Sequence, residues 1–399
     1  MNQRVEKNIH FLTSTYPPYR GGIGFHTVNL ARGLSARGYR VFIWSAFDKS
    51  QRQKSRIFID DFPVTLNDLG ADWSLEAFSK VRKAILEYPG DVMIQYRPHA
   101  FQVRQSYELR AFVKKLSKLS SVRLHIVAHR LFEWPQIRSG YMWRLWAPLS
   151  QLLTLRHLLR HSRCFYLTST HLSGMAKVCL MGKKKQYLPV SSYIYSKVND
   201  VKTENLNKAF RQQSSFIIGT FSSFIELRVL DILSAVLAVL LRHHPTWRWL
   251  FFGRYSQGFV KFLQGKYPAL SERMDYAGEL DLQALSAHIQ ISDVIFQPYD
   301  RGVSTRRTTA MAVLDHGIPM VTSSGVYTEP IWYQSGCVEL VDDNNVDGFI
   351  QAIEGLAGSE DKCKELSVRA RQTYEKYFSL QKSMEIIEGC SVSSRSRLL

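Results

Sequence analysis

Within the stretch DVIFQPYDRGVSTRRTTAMAVLDHGIPMVTS, four hydroxyl residues and two arginines fill consecutive positions: Ser304, Thr305, Arg306, Arg307, Thr308 and Thr309. Arg301 precedes them. An apolar run ends at Gln297-Pro298, a polar loop follows, and Ser304 or Thr305 would make a good N-cap for the next helix. That helix closes at His316 and Gly317, and Pro319 stops its continuation. Guanidiniums, hydroxyls and unpaired amides at a helix N-terminus make a site for a diphosphate. A solvated, capped helix start is the plainer alternative, but two arginines there oppose the helix dipole.

Two further strand-to-helix turns carry the same kind of chemistry. In GTFSSFIELRVLDIL, Gly219 and a serine-rich loop lead to Arg228 at the start of a long apolar helix, a second cation where phosphate could bind. In YPPYRGGIGFHT, Gly21, Gly22 and Gly24 sit where an apolar strand hands over to a helix. Glycine serves where φ is positive or where backbone approaches something closely. At the first turn of an α/β unit that neighbour is often a phosphate or sugar, and otherwise simply a packed turn.

The elements that hold these turns alternate regularly. Strand-like runs HFLT, RVFIW, VMIQY, LHIVAH, CFYLT and QYLPV occupy the first half, and FIIGT, WRWLFFG, MDYAG, VIFQP, PMVTS and VELVD the second, with helical patterns between them. Such alternation means parallel sheets with right-handed crossovers. The polar stretch 196–215 lacks an apolar period and is the natural boundary. The expectation is α/β, two doubly wound Rossmann-like domains facing across a cleft, with ligands at the strand carboxyl ends.

Composition narrows the classes. The chain has 399 residues, 52 Lys and Arg against 34 Asp and Glu, and a net charge of +18. Between Arg97 and Lys185, seventeen basic residues face only Glu108 and Glu133. A basic region of that kind suits anionic lipid, polyanionic substrates or nucleic acid. YMWRLWAPLSQLLTLRHLLRH (141–161) mixes tryptophan, leucine and arginine as an interfacial helix does. Pro148 interrupts it, however, and its basic residues share no face, so a buried helix is the better reading. No apolar run is long enough to span a membrane and the N-terminus lacks a secretory pattern. Cys164, Cys179, Cys337, Cys363 and Cys390 have no metal-ligand spacing and read as buried thiols of a reducing cytoplasm, not as disulfides.

Taken with these motifs, the chain resembles the GT-B glycosyltransferases of the large retaining family four. STYPPYRGGIGFHTVNLARGLSARGYRV is similar to the family's opening strand, glycine loop and first helix. GTFSSFIELRVLDIL resembles its donor-diphosphate loop, and ISDVIFQPYD with AMAVLDHGIPMVTSSGVYTEPI resembles its donor-binding segment. YEKYFSLQKSMEII resembles the closing helix that crosses back to the first domain. The resemblance implies an N-terminal acceptor domain (1–195), a nucleotide-sugar domain (196–378) and a closing helix with a polar tail (379–399). It places the amides of Gly21 and Gly22 near the donor phosphates, His129 near the transferred sugar, and Arg228 at the diphosphate; Ser304, Thr305, Arg306 and Arg307 are assigned to the diphosphate by the loop chemistry above and not by the family pattern.

Two departures from the family pattern matter. The arginine usual after the motif glycine is Thr220 here, and the family's two donor-segment glutamates fall on Ser304 and Ala312. Asp300 is close enough in sequence to stand in as a catalytic carboxylate, and Glu329 matches a common family glutamate that a loop hydrogen bond explains equally well. No D-x-D triplet occurs, so neither a metal nor another cofactor is expected. The partners implied are a nucleotide-sugar donor and a glycan or lipid-linked acceptor, at an anionic membrane surface on the cytoplasmic side. The missing glutamates also admit a non-catalytic module that binds a nucleotide sugar or scaffolds a glycan-assembly complex. A basic nucleic-acid binder is the third reading, and the chain shows no base-reading motif for it.

Overall fold

The computed structural model describes residues 7–17, 21–46, 64–69, 73–98, 103–133, 141–170, 185–196 and 201–392. The chain divides into two units, Met1–Pro189 with Leu380–Leu399, and Val190–Ser379. Each carries one parallel sheet.

In the first unit the strands are β1 (Lys7–Thr13), β2 (Tyr39–Ser45), β3 (Val64–Asp68), β4 (Gly90–Tyr96), β5 (Arg123–Ala128), β6 (Cys164–Leu167) and β7 (Lys185–Tyr187). Their order is β3-β2-β1-β4-β5-β6-β7, so the winding reverses between β1 and β4. The crossovers include helices α1 (Gly22–Ser35), α2 (Leu75–Glu87), α3 (Val103–Leu116) and α4 (Tyr141–His161). Alternation along β1 sorts the two faces. Ile9 and Phe11 pack with Leu30 and Leu34 of α1. Leu12 joins Phe78 and Val81 of α2, Phe112 and Val113 of α3, and Leu155 and Leu158 of α4.

The register sets one buried charge opposite its partner. Asp91 of β4 pairs with Arg123 of β5, and the guanidinium donates to both carboxylate oxygens at 2.5 and 2.9 Å. The carboxylate is buried while the arginine keeps contact with water, so the pair fixes register without stranding a charge.

The second unit holds β8 (Phe216–Phe221), β9 (Trp247–Phe252), β10 (Met274–Gly278), β11 (Val294–Gln297), β12 (Met320–Ser324) and β13 (Glu339–Asp342). The order is β10-β9-β8-β11-β12-β13, again reversing in the middle, between β8 and β11. Its helices are α5 (Val201–Arg211), α6 (Leu227–His243), α7 (Ser256–Lys266), α8 (Leu282–Ile291), α9 (Thr308–His316), α10 (Pro330–Ser335), α11 (Val346–Ala357) and α12 (Glu360–Tyr377). Leu233, Leu237 and Leu240 of α6 close over Trp249, Phe251 and Phe296 of the sheet.

The polar stretch is not a bare linker. It forms α5, whose Arg211 donates to both oxygens of Asp293 at 2.8 and 2.7 Å. The units divide ahead of it, after Pro189. Residues beyond Pro189 bind the second unit through polar contacts that hydropathy does not show: the Ser192 amide donates to the Tyr374 hydroxyl, and Ser286 donates to the Tyr195 carbonyl.

Helix α13 (Leu380–Val392) returns the chain to the first unit. Met384 and Ile387 are buried against the α1 side of the sheet. The approach is close: a Cβ on Gly33 would lie 2.7 Å from Met384 Sδ. Arg37 holds α13 from outside, at 2.6 Å to Gln381 Oε1 and 2.9 Å to Glu388.

Two sequence expectations are corrected here. Cys164 and Cys390 form a disulfide, because α13 lands on β6 and brings together residues 226 apart in sequence. Cys179 lies outside the described residues. Helix α4 runs through Pro148 without ending, and its side chains from Leu149 on are divided between core and surface. Leu155, Leu158 and Leu159 enter the core, while Leu149, Leu153, Arg156 and Arg160 are exposed.

Replacing Asp91 by Asn should lower the unfolding free energy by about 1.5–3 kcal/mol, the usual value of hydrogen bonds to a charged group. Urea denaturation measures it; an unchanged midpoint would show that the pair does not hold β4 to β5.

Candidate functional site

At the reversal point of the second sheet, β8 and β11 end side by side and their loops diverge, leaving room for a ligand. A cavity of about 250 Å³ lies there. Phe221, Ser222, Ser223, Phe224 and Glu226 line it from the loop after β8. Gln297, Tyr299, Arg306, Arg307, Thr308 and Thr309 line it from the loop after β11 and the first turn of α9. Gln297 joins the two walls, its side-chain oxygen accepting from the Phe221 amide at 3.1 Å.

The chemistry of the walls is divided. Phe221, Phe224 and Tyr299 present ring surface. Tyr299 is buried, which pushes its hydroxyl up to about 12, and the hydroxyl lies 2.7 Å from Thr309 Oγ1. Arg307 stacks on the same ring at 4.7 Å and stands 3.9 Å from Glu226, so a carboxylate and a guanidinium face the cavity together. Arg307 is also the N-cap residue of α9 and offers no side-chain cap, so the amides of the first turn are not closed off by a side chain.

Ser304 and Thr305, expected as caps, do something else. Both are buried, and α9 starts only at Thr308. Thr305 donates through its amide and its hydroxyl to the two carboxylate oxygens of Glu329, at 2.9 and 2.7 Å. The Trp332 indole donates to Glu329 as well, at 3.1 Å. Glu329 is buried, and it locks the loop after β11 to the start of α10.

The loop turns sharply before that lock. Arg301 has φ 62° and Gly302 φ 95°, and a Cβ on Gly302 would come within 2.5 Å of the Gly325 amide. Phe224, on the opposite wall, has φ 52°. Such conformations are costly for residues other than glycine and persist where the surroundings over-determine them.

Arg228 and Asp300 are brought together, but on each other. The guanidinium reaches Asp300 at 3.2 Å, Asp343 at 3.1 Å and Asn344 at 2.5 Å. Neither residue lines the cavity. Acidic neighbours therefore account for this cation without a ligand. Thr220 is fully buried, donates to the Phe296 carbonyl and accepts from the Trp249 indole at 2.9 Å. Ala312 is buried within α9.

In the first unit, Gly21 is the extended N-cap of α1 and Gly22 its exposed first residue. Neither needs glycine for a positive φ. Gly24 is the one that packing demands, since a Cβ there would meet the Thr15 carbonyl at 3.2 Å. His129 follows β5, with Nε2 2.7 Å from Gln95 Oε1. Edge-on to it, 5.4 Å away, lies His26 of α1. Burial drives the His26 imidazole down to about 4. Its two nitrogens have no hydrogen-bond partner.

Sequence reasoning missed Glu226 and Tyr299 as cavity residues and His26 and Gln95 as neighbours of His129. The spacing of Tyr299 and Thr309, which spans the loop, gave a faint signal; the other three pair across separate strands and helices. Among the described residues, no group of three or more His, Cys, Asp or Glu could hold a metal ion. Nor is any described helix long and apolar enough to cross a membrane.

Two Rossmann-like units with parallel sheets are the fold of the GT-B glycosyltransferases. Residues 20–173 match the model of Glycosyltransferase Family 4. A glycosyltransferase from Rickettsia africae ESF-5 superposes with a TM-score of 0.71 at 14% identity, covering 98% of this chain and 100% of that one. Sucrose-phosphate synthase from Thermosynechococcus elongatus gives 0.67 at 14% identity, with 98% and 100% covered. HepE of Anabaena, solved with UDP, gives 0.66 at 15% identity, with 96% and 99% covered. No curated protein matches the chain. The match to the family model over residues 20–173 supports an enzyme.

Two outcomes follow from this geometry. Glu329→Gln places an amide against donors that need a carboxylate, and should cost about 1–3 kcal/mol of stability, read as a lower melting temperature. The second is a pH effect. His26 has a folded pKa below the ordinary 6.5, so between about 6.5 and 4 the unfolded chain binds a proton that the folded one refuses. Stability is then complete above pH 6.5 and falls on acidification towards 4. His26→Phe should flatten that slope in urea titrations run across the range; a slope unchanged by the substitution would show that His26 titrates normally.

Proposed function

We propose that the chain is a glycosyltransferase that moves a sugar from a nucleotide-sugar donor to a glycan or lipid-linked acceptor, with retention at the anomeric carbon. The observation that carries the reading is the cavity where β8 and β11 diverge. Its aromatic wall suits a base, its carboxylate a ribose diol, and Arg306, Arg307 and the first turn of α9 a diphosphate. Neighbours of the same fold were solved with UDP and with UDP-glucose, which makes a uridine nucleotide the first donor to try. Following the family resemblance, Gly21 and Gly22 are assigned to the donor phosphates and His129 to the transferred sugar. Glu226 replaces Asp300 as the carboxylate assigned to the donor, since Asp300 is committed to Arg228. The basic first unit is assigned to the acceptor.

A second reading, a nucleotide-sugar-binding module without turnover, is favoured by one observation: Ser304 and Ala312, where the family carries glutamates, are buried and not acidic. Turnover separates the two.

Calorimetry with UDP, GDP, ADP and CMP should single out one nucleotide. At a hundred times its Kd it should stabilise the protein by about 2.7 kcal/mol. Arg307→Ala should weaken that affinity ten- to a hundredfold, as loss of a charge-assisted phosphate contact does. Arg228→Ala should change it by less than about fivefold, since a surface pair contributes little. The reverse ranking would move the diphosphate to Arg228. Slow hydrolysis of the matching nucleotide sugar supports the enzyme; tight binding with no turnover over a broad acceptor panel leaves the module.

A further inference from the structure

Helix α13 is held to the first unit unevenly along its length. Met384 and Ile387 are buried in the apolar cluster that contains Leu30 and Leu34 of α1. Ser383 is fully buried and donates to the Pro189 carbonyl at 3.2 Å. These buried contacts end at Ile387. Beyond it, Glu388 pairs with Arg37 where water reaches both side chains, and such a pair holds little. Gly389 is exposed and weakens a helix more than any residue but proline. A Cβ there would meet open space, so packing does not demand the glycine. Among the described residues of this last turn, the firm link is the Cys164–Cys390 disulfide.

The two cysteines sit in unlike places. Cys164 is buried on β6, in the same cluster as Met93 and Tyr166. Cys390 is half-buried, on a turn that nothing else fixes firmly. A disulfide with one partner near the surface, on a segment that opens locally, is within reach of a thiol reductant; one enclosed on both sides is not. Exchange with the chain's other described thiols is disfavoured. Burial pushes the Cys337 and Cys363 thiols up, which leaves little of the attacking thiolate form. The reductant must therefore come from outside.

We propose that the Cys164–Cys390 bond is a redox-controlled clamp on the last turn of α13, opened by a thiol reductant of the glutathione class and closed by the corresponding disulfide. A reductant thiolate attacks Sγ of Cys390, the protein's S–S bond breaks, and Cys164 leaves with the electron pair and takes up a proton. A second reductant thiolate attacks the mixed disulfide and releases Cys390, which is protonated in turn. Two electrons and two protons pass from two reductant thiols to two cysteines, and the reductant departs as a disulfide. With the clamp open, the turn from Glu388 to Val392 is released, while Met384 and Ile387 keep the rest of α13 in place. The clamp is independent of what the second unit's cavity binds.

The test equilibrates the full chain in glutathione buffers of reducing and of oxidising ratio, then alkylates the denatured protein and weighs it. The reducing buffer should add two alkyl groups relative to the oxidising one, and returning the protein to the oxidising buffer should remove them. Hydrogen exchange on the same samples locates the effect. Amides from Glu388 to Val392 should exchange at least about tenfold faster in the reduced protein, and those from Ser383 to Ile387 within about twofold of the oxidised rate. Cys390→Ser should exchange like the reduced protein in both buffers. Gly389→Ala should slow exchange of the released turn by about fivefold, the value of the helix propensity it restores. The comparison of the two wild-type states needs no variant, so a Cys390→Ser protein that fails to fold leaves the test intact. A bond that stays closed in the reducing buffer overturns the proposal and makes the disulfide purely structural. Equal alkylation in both buffers, or faster exchange spread through all of α13 on reduction, overturns it as well.

Discussion

A buried carboxylate is tolerated only when donors surround it, and Glu329 is the one on which the second unit's cavity depends. It sits at the start of α10, yet two of its hydrogen bonds reach back to Thr305 in the loop after β11. That loop leaves the sheet, turns through two residues of positive φ at Arg301 and Gly302, and must re-enter as a helix in the right phase. Anchoring Thr305 fixes the phase. Arg306 and Arg307 then follow at the cavity wall, and α9 begins with its first turn aimed at the same space. Without the anchor, two arginines at a helix start would swing towards solvent, since the dipole favours neither.

The opposite wall is held by a different device. Thr220 spends its hydroxyl between the Phe296 carbonyl and the Trp249 indole, which ties β8, β9 and β11 together just below the cavity floor. A charged side chain at that fully buried position would have to be neutralised or expelled. Positive charge at this end of the sheet comes instead from the loop after β11, whose arginines are partly exposed.

The strand–helix alternation was legible because a parallel sheet buried on both faces needs continuous apolar runs, and HFLT, VMIQY and VIFQP are of that kind. The segment that carries Arg306 and Arg307 was legible as a strand–helix turn, because an apolar run ends at Gln297 and a helical pattern follows. What pairs across the sheet was not. Nothing local tells Arg228 that Asp300, Asp343 and Asn344 lie within its reach, or Thr305 that Glu329 will bind it. Cys164 and Cys390 looked like isolated thiols because their meeting depends on where α13 lands. The exposed stripe of α4 escaped notice for a related reason. Counted from its N-terminus the helix mixes every residue type, whereas the residues from Leu149 on divide into a buried and an exposed side.

The disulfide has a topological consequence. Between Cys164 and Cys390 the chain forms a covalent ring that contains the whole second unit, since that unit runs from Val190 to Ser379. The second unit is thus an insertion into the first, held at both ends by one scaffold. A protease that cuts any single exposed loop within the ring opens it without releasing a fragment, and the nicked molecule keeps its mass until a reductant is added. The same ring sets an order on synthesis: β6 emerges from the ribosome long before its partner, so the first unit can be sealed only after the second has been made.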